Sequence, residues 1–250
     1  MSGHSKWSTI KHKKGRLDAQ RGRTFSKLIK EITVAAKMGG GDPDSNPRLR
    51  TAVASAKSVN MPNDNIDRAI KKGTGELPGV TYEESFYEGY GPGGVAVLVR
   101  VLTDNRNRTT PEIRHLLSKA GGSLGGTGSV AWLFEDRGVI TVNAAVFSED
   151  DVLAAALEAG ADDMSSEESS HEILTEPGNM SDVVEGLRKA GIEVEESVTT
   201  KIPSSTKRVE GAQARQVLKL LESLEENEDV QEVYSNFDMD ENILEEASQV

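Results

Sequence analysis

The chain has 250 residues, of which 36% are hydrophobic and 24 are glycines. Counting the glycines as apolar gives about 46%, a share typical of globular proteins, so a wholly disordered chain is excluded. There is no cysteine, which excludes a disulfide framework, thiol catalysis and zinc held by cysteine. Because no run of about 18 apolar residues and no secretory signal occurs, we expect a cytoplasmic protein with no membrane partner.

The net charge of −12 is distributed unevenly along the chain. Residues 1–78 contain 16 basic and 7 acidic residues, whereas residues 79–250 contain 13 basic and 34 acidic residues. Nine basic residues fall within residues 1–30, where Asp18 is the single acidic residue. This asymmetry predicts a basic module for an anionic partner in preference to a solubilising tail, which needs no single sign of charge.

The first third of the chain predicts a basic flexible segment followed by a small helical domain. Residues 1–21 are rich in Lys, Arg, Ser and Gly without apolar periodicity, so we expect them to be extended or disordered until bound. Residues 22–78 contain three amphipathic helical patterns. The predicted helices begin at Gly22, Pro47 and Asn63, and the first and third end at Gly39 and Gly73.

From residue 79 the pattern changes to strands alternating with helices. A first set has two strands, a helix that opens at Thr110-Pro111, and a third strand at 130–134. A second set follows the order β-α-β-β-α-β, which is the split-βαβ pattern of a ferredoxin-like domain. The remaining predicted strands cover 82–90, 95–102, 139–142, a hairpin around 163–175, and 192–200.

The end of the chain predicts that one α+β domain is interrupted by the other. A helix at 212–226 and a strand at 230–237 cannot bury their apolar faces alone, and the first set lacks a second helix and a fourth strand. We therefore expect a discontinuous domain of residues 79–136 and 204–250, with a ferredoxin-like domain of residues 137–203 inserted in it. The predicted fold class is α+β, with an N-terminal three-helix domain and two α/β-sandwich domains.

Motifs of known enzymes are sparse. There is no His-Glu-x-x-His zinc motif and no Gly-x4-Gly-Lys-[Ser/Thr] phosphate-binding loop. The four histidines, at positions 4, 12, 115 and 171, lack the spacing of metal ligands. We therefore expect no catalysis, no metal, no cofactor and no small-molecule substrate. Two alternatives stay open: an enzyme with an unrecognised site among the 41 carboxylates, and an adaptor that binds proteins through its acidic surface.

Two loops carry groups that suit phosphate. Residues 121–128 are glycine-rich, but they follow a helix and precede a strand, the reverse of the order that aims a helix N-terminus at phosphate. A flexible connection is therefore the favoured interpretation. Arg106 and Arg108 lie in the segment 104–108, between a strand and a helix start, where phosphate contact and turn chemistry are equally favoured.

The strongest signal is the cluster of basic residues around Trp7. Lys and Arg release counterions from phosphates, and the Trp7 ring offers a face on which a base can stack. The residues on either side of Trp7, Lys6 and Ser8, are polar, which argues against an ordinary core position for the tryptophan. The predicted nucleic-acid-binding residues are Lys6, Trp7, Lys11, His12, Lys13, Lys14, Arg16, Arg21, Arg23, Lys27, Lys30, Arg106 and Arg108.

Several long motifs in the chain closely resemble the YebC/PmpR family, which includes the mitochondrial translational activator of cytochrome c oxidase. The resemblance covers almost the whole chain and is densest over residues 3–134. The motifs that carry it include Gly3-His4-Ser5-Lys6-Trp7, Asn46-Pro47-Arg48-Leu49-Arg50, Glu88-Gly89-Tyr90-Gly91-Pro92 and Leu102-Thr103-Asp104-Asn105-Arg106-Asn107-Arg108-Thr109.

The resemblance implies a three-domain protein, with one helical and two α+β domains, and no known catalytic chemistry. Some members are described as DNA-binding transcriptional regulators. Others are described as ribosome-associated factors that help the ribosome to translate proline-rich stretches. We therefore expect a regulator of gene expression whose partner is DNA or ribosomal RNA, with the ribosome as a further candidate. The absence of an evident helix-turn-helix recognition helix favours structured RNA slightly.

Overall fold

The computed structural model describes residues 19–167 and 169–240, which contain seven α-helices and ten strands. The predicted fold class is confirmed: a helical N-terminal part is followed by two antiparallel α/β sandwiches, one inserted in the other. In chain order the elements are α1 (Ala19–Gly39), α2 (Pro47–Ser58), α3 (Asn63–Thr74), β1 (Glu83–Tyr90), β2 (Ala96–Thr103), α4 (Arg106–Lys119), β3 (Ser123–Leu124), β4 (Phe134–Asn143), α5 (Glu149–Glu158), β5 (Asp163–Ser166), β6 (Ser170–Thr175), α6 (Met180–Lys189), β7 (Val194–Pro203), β8 (Lys207–Arg208), α7 (Gly211–Glu225), β9 (Val230–Ser235) and β10 (Phe237–Asp238).

The first three helices pack around their own apolar core, and one buried side chain joins two of them. The Asn46 side-chain oxygen accepts a hydrogen bond from the Leu49 N–H at 3.1 Å, which caps α2. Its amide group donates to the carbonyls of Ala35 and Gly40, at 2.8 Å each, at the end of α1. The core consists of Ile32, Ala35, Ala36, Leu49, Ala52, Val53, Ala56, Met61, Ile66 and Ala69.

Gly73 lies inside α3, so the prediction that it ends the helix is wrong. The helix continues to Thr74 and is followed by Gly75 in the left-handed conformation, with φ of 85°. A Cβ atom at Gly73 would lie 2.4 Å from the Thr33 carbonyl oxygen and 2.7 Å from the Ala36 Cβ. The glycine is therefore needed because α3 packs closely against α1 at this point.

The first sheet combines strands from two distant parts of the chain. Its order is β3-β1-β2-β9, and neighbouring strands are antiparallel. β9 pairs along β2, with Val233 opposite Val99, so the end of the chain completes this sheet as predicted. β2 is buried along nearly its whole length, as a central strand covered by helices should be. The core on the helix-covered face includes Val97, Val99, Val101, Ile113, Leu117, Val217 and Leu221.

Two elements of the first α+β set differ from their predictions. The strand predicted at 130–134 does not belong to this sheet: β4 begins at Phe134 and pairs in the second sheet. The helix predicted to open at Thr110-Pro111 begins at Arg106 instead, because the Asn105 side chain accepts a hydrogen bond from the Arg108 N–H at 3.2 Å and caps it. Pro111 therefore lies within α4.

The second sheet has the predicted β-α-β-β-α-β connectivity. Its strands lie in the order β5-β6-β4-β7, all neighbours being antiparallel. α5 and α6 pack on one face of this sheet. The core between them includes Ile140, Val142, Val152, Ala156, Ile173, Val183 and Leu187.

The described chain divides into two compact units. One is Trp132–Thr206, which contains the second sheet, and the other contains residues 19–131 and 207–240. The domain bounds drawn from the sequence, which separate residues 22–78 from the first α+β set, stay a prediction. No described helix combines the length and the apolar character that crossing a bilayer requires.

The pairing of β2 with β9 can be tested by two deletions. Removing residues 209–250 deletes α7 and β9, so β1 and β2 should lose their protection from amide hydrogen exchange. Replacing residues 137–203 with a short linker should leave that protection in place, because no strand or helix of the first sheet is removed. Protection in the first variant together with its loss in the second would contradict the topology.

Candidate nucleic-acid interface

Most of the predicted binding residues precede the described part of the chain. Lys6, Trp7, Lys11, His12, Lys13, Lys14 and Arg16 lie outside the described residues, as does the side chain of Arg21. Their role in binding therefore stays a prediction. The other five predicted residues are Arg23, Lys27 and Lys30 of α1 and Arg106 and Arg108 of α4.

Lys30 and Arg108 converge on one buried carboxylate, Asp229, in the turn between α7 and β9. Lys30 Nζ lies 2.6 Å from Asp229 Oδ1, and Arg108 Nη2 lies 2.8 Å from Oδ2. The hydroxyls of Thr103 and Thr109 also donate to Oδ2, at 3.1 and 2.7 Å. The Asp229 side chain is 4% exposed, so protein donors replace the water that it has lost.

These donors determine the pKa of Asp229. Burial alone would raise it, but hydrogen bonds from Arg108, Lys30 and Thr109 favour the ionised carboxylate and bring the pKa to about 2. The backbone of Asp229 is also held, since its carbonyl accepts a hydrogen bond from the Leu102 N–H at 2.8 Å. At neutral pH the carboxylate is therefore ionised and neutralises charge on both cations.

The cations of α1 also contact the end of α7 and the turn that follows it. Lys27 Nζ donates to the Glu225 carbonyl at 2.6 Å, and Lys30 Nζ donates to the Glu228 carbonyl at 3.0 Å. Arg23 lies 3.6 Å from the Glu226 carboxylate. Carbonyls at a helix C-terminus carry partial negative charge, so lysines stabilise them. These contacts give Lys27 and Lys30 a structural role.

A second network of ion pairs joins α1 and α2 to the first sheet. Arg48 Nε lies 2.7 Å from Glu31, and its two Nη atoms contact the Glu84 carboxylate at 3.0 and 3.2 Å. Arg100 contacts the carboxylates of Glu31, Glu84 and Glu232 at 3.0, 2.8 and 2.9 Å. Burial would raise the pKa of Glu31 and of Glu84, but the two arginines lower both below their ordinary values. Both arginines are thus neutralised within the protein.

α3 presents cations that pair with no carboxylate in the described chain. Arg68, Lys71 and Lys72 are spaced i, i+3, i+4, which places them on one face of the helix, and all three are exposed. The sequence reasoning missed them, although this spacing was the signal that could have found them. Arg106 is likewise exposed, at the start of α4, and forms no ion pair within the described residues.

A groove of about 660 Å³ lies between α2 and α3 beside these cations. Its apolar surface suits a ribose or a base, and the lysines that line it suit the attached phosphate, whereas its carboxylates oppose one. The lining includes the apolar Val53, Ile66 and Ile70, the lysines Lys57 and Lys71, and the carboxylates of Asp42, Asp67 and Glu76.

The glycine-rich loop is fixed by Glu88 of β1. The buried Glu88 carboxylate accepts hydrogen bonds from the backbone N–H groups of Gly128, Val130 and Ala131, each at 2.7 Å. Burial would raise the Glu88 pKa, but these bonds lower it below its ordinary value. Because these amides already bind a carboxylate of the protein itself, they are not available to bind a phosphate.

Two features that could suggest a catalytic site have structural explanations in the described chain. The spacing Gly121-x-Ser123-x-Gly125 has the letters of a nucleophile elbow, but it joins α4 to β3, the reverse of that motif's strand-to-helix order. The His171 ring is buried between the Ser166 hydroxyl and the Phe147 carbonyl, at 2.8 and 3.0 Å. No group of three or more His, Asp or Glu side chains that could hold a metal occurs in residues 19–167 or 169–240.

Much of the negative charge of the chain is concentrated in the inserted unit. Trp132–Thr206 contains 17 acidic and 4 basic residues, a net charge of −13. Residues 1–78, with 16 basic and 7 acidic residues, carry +9. The fold and its charges therefore define a class: an α+β protein that combines a basic helical N-terminal part with a strongly acidic inserted sandwich.

The chain belongs to the TACO1/YebC family. It matches the model of the TACO1/YebC protein N-terminal domain over residues 5–76 and that of the TACO1/YebC second and third domain over residues 82–237. The resemblance drawn from the sequence motifs is thereby confirmed.

Proteins similar to this chain come from several bacteria. A "probable transcriptional regulatory protein" of Desulfatibacillum aliphaticivorans is 59% identical over 239 residues, which cover 96% of this chain and 97% of that protein. A similarly named protein of Geobacter sulfurreducens is 58% identical over 239 residues, 96% of each chain. The crystal structure of a conserved hypothetical protein from Aquifex aeolicus matches with a TM-score of 0.79 and 52% identity, covering 90% of this chain and 93% of that one.

The buried charge of Asp229 leads to two predictions about stability. Replacing Asp229 should destabilise the protein at neutral pH, and the native protein should lose stability in acid. Asp229→Asn should lower the free energy of unfolding by about 3 kcal/mol, because two cations lose their buried counter-charge. The folded pKa of about 2 lies below the ordinary value of 3.8, so the ionised form contributes fully above about pH 4. That contribution, about 2 kcal/mol, should be lost from the native protein as the pH falls towards 2, and the variant should lack this loss.

Urea denaturation at several pH values measures both effects. Asp104→Asn is the matched control, since it removes the exposed carboxylate that lies 2.9 Å from Arg108 and should cost less than about 1 kcal/mol. Equal losses in the two variants would contradict the assigned role of Asp229.

Proposed function

We propose that this protein is a non-enzymatic regulator of gene expression that binds nucleic acid through its basic N-terminal part. The observation that carries the proposal is the separation of charge between residues 1–78, at +9, and Trp132–Thr206, at −13. Phosphate is attracted by the first and repelled by the second, so this separation restricts where a nucleic acid can bind. The names of the bacterial relatives support a regulatory role.

Contacts within the protein divide the candidate phosphate-binding cations into two groups. Lys27, Lys30 and Arg108 contact carbonyls or Asp229 in the described structure, so we assign them the task of holding α1 in place. Phosphate contact then falls to the basic segment of residues 1–21, to Arg106, and to the exposed cations of α3. Trp7 adds a stacking contact in this proposal, which distinguishes bases from bare phosphate.

DNA and ribosomal RNA are both candidates for the bound nucleic acid. DNA is supported by the relatives' names and by α3, which follows α2 after a turn of four residues and exposes three cations on one face. Ribosomal RNA is supported by Trp7, since stacking requires an unpaired base, and by the resemblance to translation factors that associate with ribosomes. We favour RNA because the basic cluster around Trp7 is the denser of the two signals.

In-cell crosslinking followed by sequencing of both DNA and RNA separates these partners. Enrichment of ribosomal RNA supports the translation role, and enrichment of defined DNA sites supports transcription. The comparison chain carries Lys11→Ala, Lys13→Ala and Lys14→Ala, and its recovery of the true partner should fall. If no nucleic acid is enriched over that chain, or if ribosome co-sedimentation survives nuclease treatment, the protein acts as an adaptor and the proposal is contradicted.

Salt titrations test which cations contact phosphate. Each lost phosphate contact removes about 0.7 to 0.9 from the slope of log affinity against log salt, so the triple variant at Lys11, Lys13 and Lys14 should lose about two units. Trp7→Ala should lower affinity by about 1–3 kcal/mol without changing the slope, because stacking is not linked to salt. An unchanged slope in the triple lysine variant would show that the segment does not bind phosphate.

A second triple variant and a control complete this titration. Replacing Arg68, Lys71 and Lys72 with Ala should also reduce the slope if α3 contacts phosphate. The control removes Arg188 and Lys189 from α6, in the acidic inserted unit, and should leave affinity and slope unchanged. A loss in the control equal to that in the α3 variant would show that overall charge, and not a surface of α3, determines binding.

A further inference from the structure

The second sheet leaves one long strand edge open. β7 is the last strand in the order β5-β6-β4-β7, and within the described residues it pairs with β4 alone. Its ten residues compare with six in β9, four in β5 and two in β3, the other edge strands of the two four-stranded sheets. Residues 195–199 are all exposed, so no other part of the described chain covers them.

The exposed part of β7 is built to pair with another strand. A register shift opposite Thr141 and Val142 falls at Glu195, but from residue 196 onwards the pairing with β4 is regular. Residues 196–200 are Glu-Ser-Val-Thr-Thr, three of them β-branched, with no lysine or proline, the residues that commonly block an edge. Alternate residues of an edge strand direct their N–H and C=O groups away from the sheet, where they can bind another backbone.

Charge selects the kind of strand that can pair here. Glu195 and Glu196 lie at the start of β7 and Glu193 directly precedes it, and the whole unit carries −13. A nucleic acid would be repelled, and pairing of this edge with the same edge of a second copy would bring two acidic units together. Lys201, the one basic residue of β7, lies beyond the exposed part and is 2.9 Å from Asp136. A basic polypeptide is the complementary partner.

We propose that β7 binds an extended basic segment of a partner protein, which adds to the second sheet as a fifth strand. Backbone hydrogen bonds to residues 196–200 hold this segment, which spans about 17 Å, or five residues. Val198, 43% exposed, contacts its apolar side chains, and Glu196, on the same face of the strand, pairs with its lysine or arginine side chains. This proposal does not rest on the proposed binding of nucleic acid.

A blocked peptide of the repeat Lys-Thr-Val-Thr, which places lysine and valine in turn on one face of a strand, tests the proposal on the full chain. We expect it to bind, as measured by fluorescence anisotropy, and to protect from hydrogen exchange those amides of residues 196–200 that point away from the sheet. The same peptide with alternate backbone nitrogens methylated should bind about tenfold more weakly, because it lacks donors for the strand edge. Equal binding of the methylated peptide, or no protection at residues 196–200, would overturn the proposal.

Two variants separate the strand edge from the charge of the unit. Glu196→Lys should weaken binding of the Lys-Thr-Val-Thr peptide about fivefold, since a favourable cross-strand pair becomes a repulsive one. Glu158→Lys makes the same charge change at an exposed position of α5 that forms no ion pair in the described chain, and it should leave binding unchanged. Equal weakening by both variants would show non-specific attraction and overturn the proposal. Self-association of the chain without peptide would also overturn the proposal if Glu196→Lys changed it, because the edge would then bind a second copy.

Discussion

The structure of the larger unit depends on how one ionised carboxylate is kept away from water. Asp229 lies in a turn, yet its side chain is almost fully buried and has charged or hydroxyl donors from α1, β2 and α4. A buried ion is costly when one of its donors is missing, so a different placement of α1 would leave Oδ1 of this carboxylate without its Lys30 donor. The ion pair therefore contributes less to overall stability than to the choice of a single arrangement of these elements.

This constraint changes the meaning of the charge of the N-terminal part. Composition alone suggests a basic surface available to a partner, but Lys27, Lys30 and Arg48 contact carbonyls and carboxylates of the protein itself. Among the described residues, Arg68, Lys71 and Lys72 on the exposed face of α3 remain without an ion pair. The net charge of one segment overstates the electrostatic field around it when its cations pair with carboxylates from distant parts of the chain.

Local patterns predicted much of the fold, because helices and strands follow from nearby residues. The apolar periodicity gave the helices and the β-α-β-β-α-β order, and the unsatisfied last helix and strand gave the completion of the first sheet. The role of Asp229 could not be predicted, since it lies in the acidic run Glu228-Asp229 and its partner Lys30 is 199 residues away in the sequence. The error at Gly73 has the same cause, because the carbonyl that leaves no room for a side chain at this position belongs to another helix.

The insertion of one sandwich in another also affects the order in which the chain can fold during synthesis. β2 is made early, but its neighbour β9 is made about 130 residues later, after the whole inserted unit. The inserted unit is continuous in sequence and can form first, which shortens the loop that β9 must close to reach β2. Until then β2 has an open, strongly apolar edge on the growing chain, and α1 lacks the carboxylate that fixes it. The nascent protein therefore exposes the apolar edge of β2 until residues 211–235, which form α7 and β9, have been made.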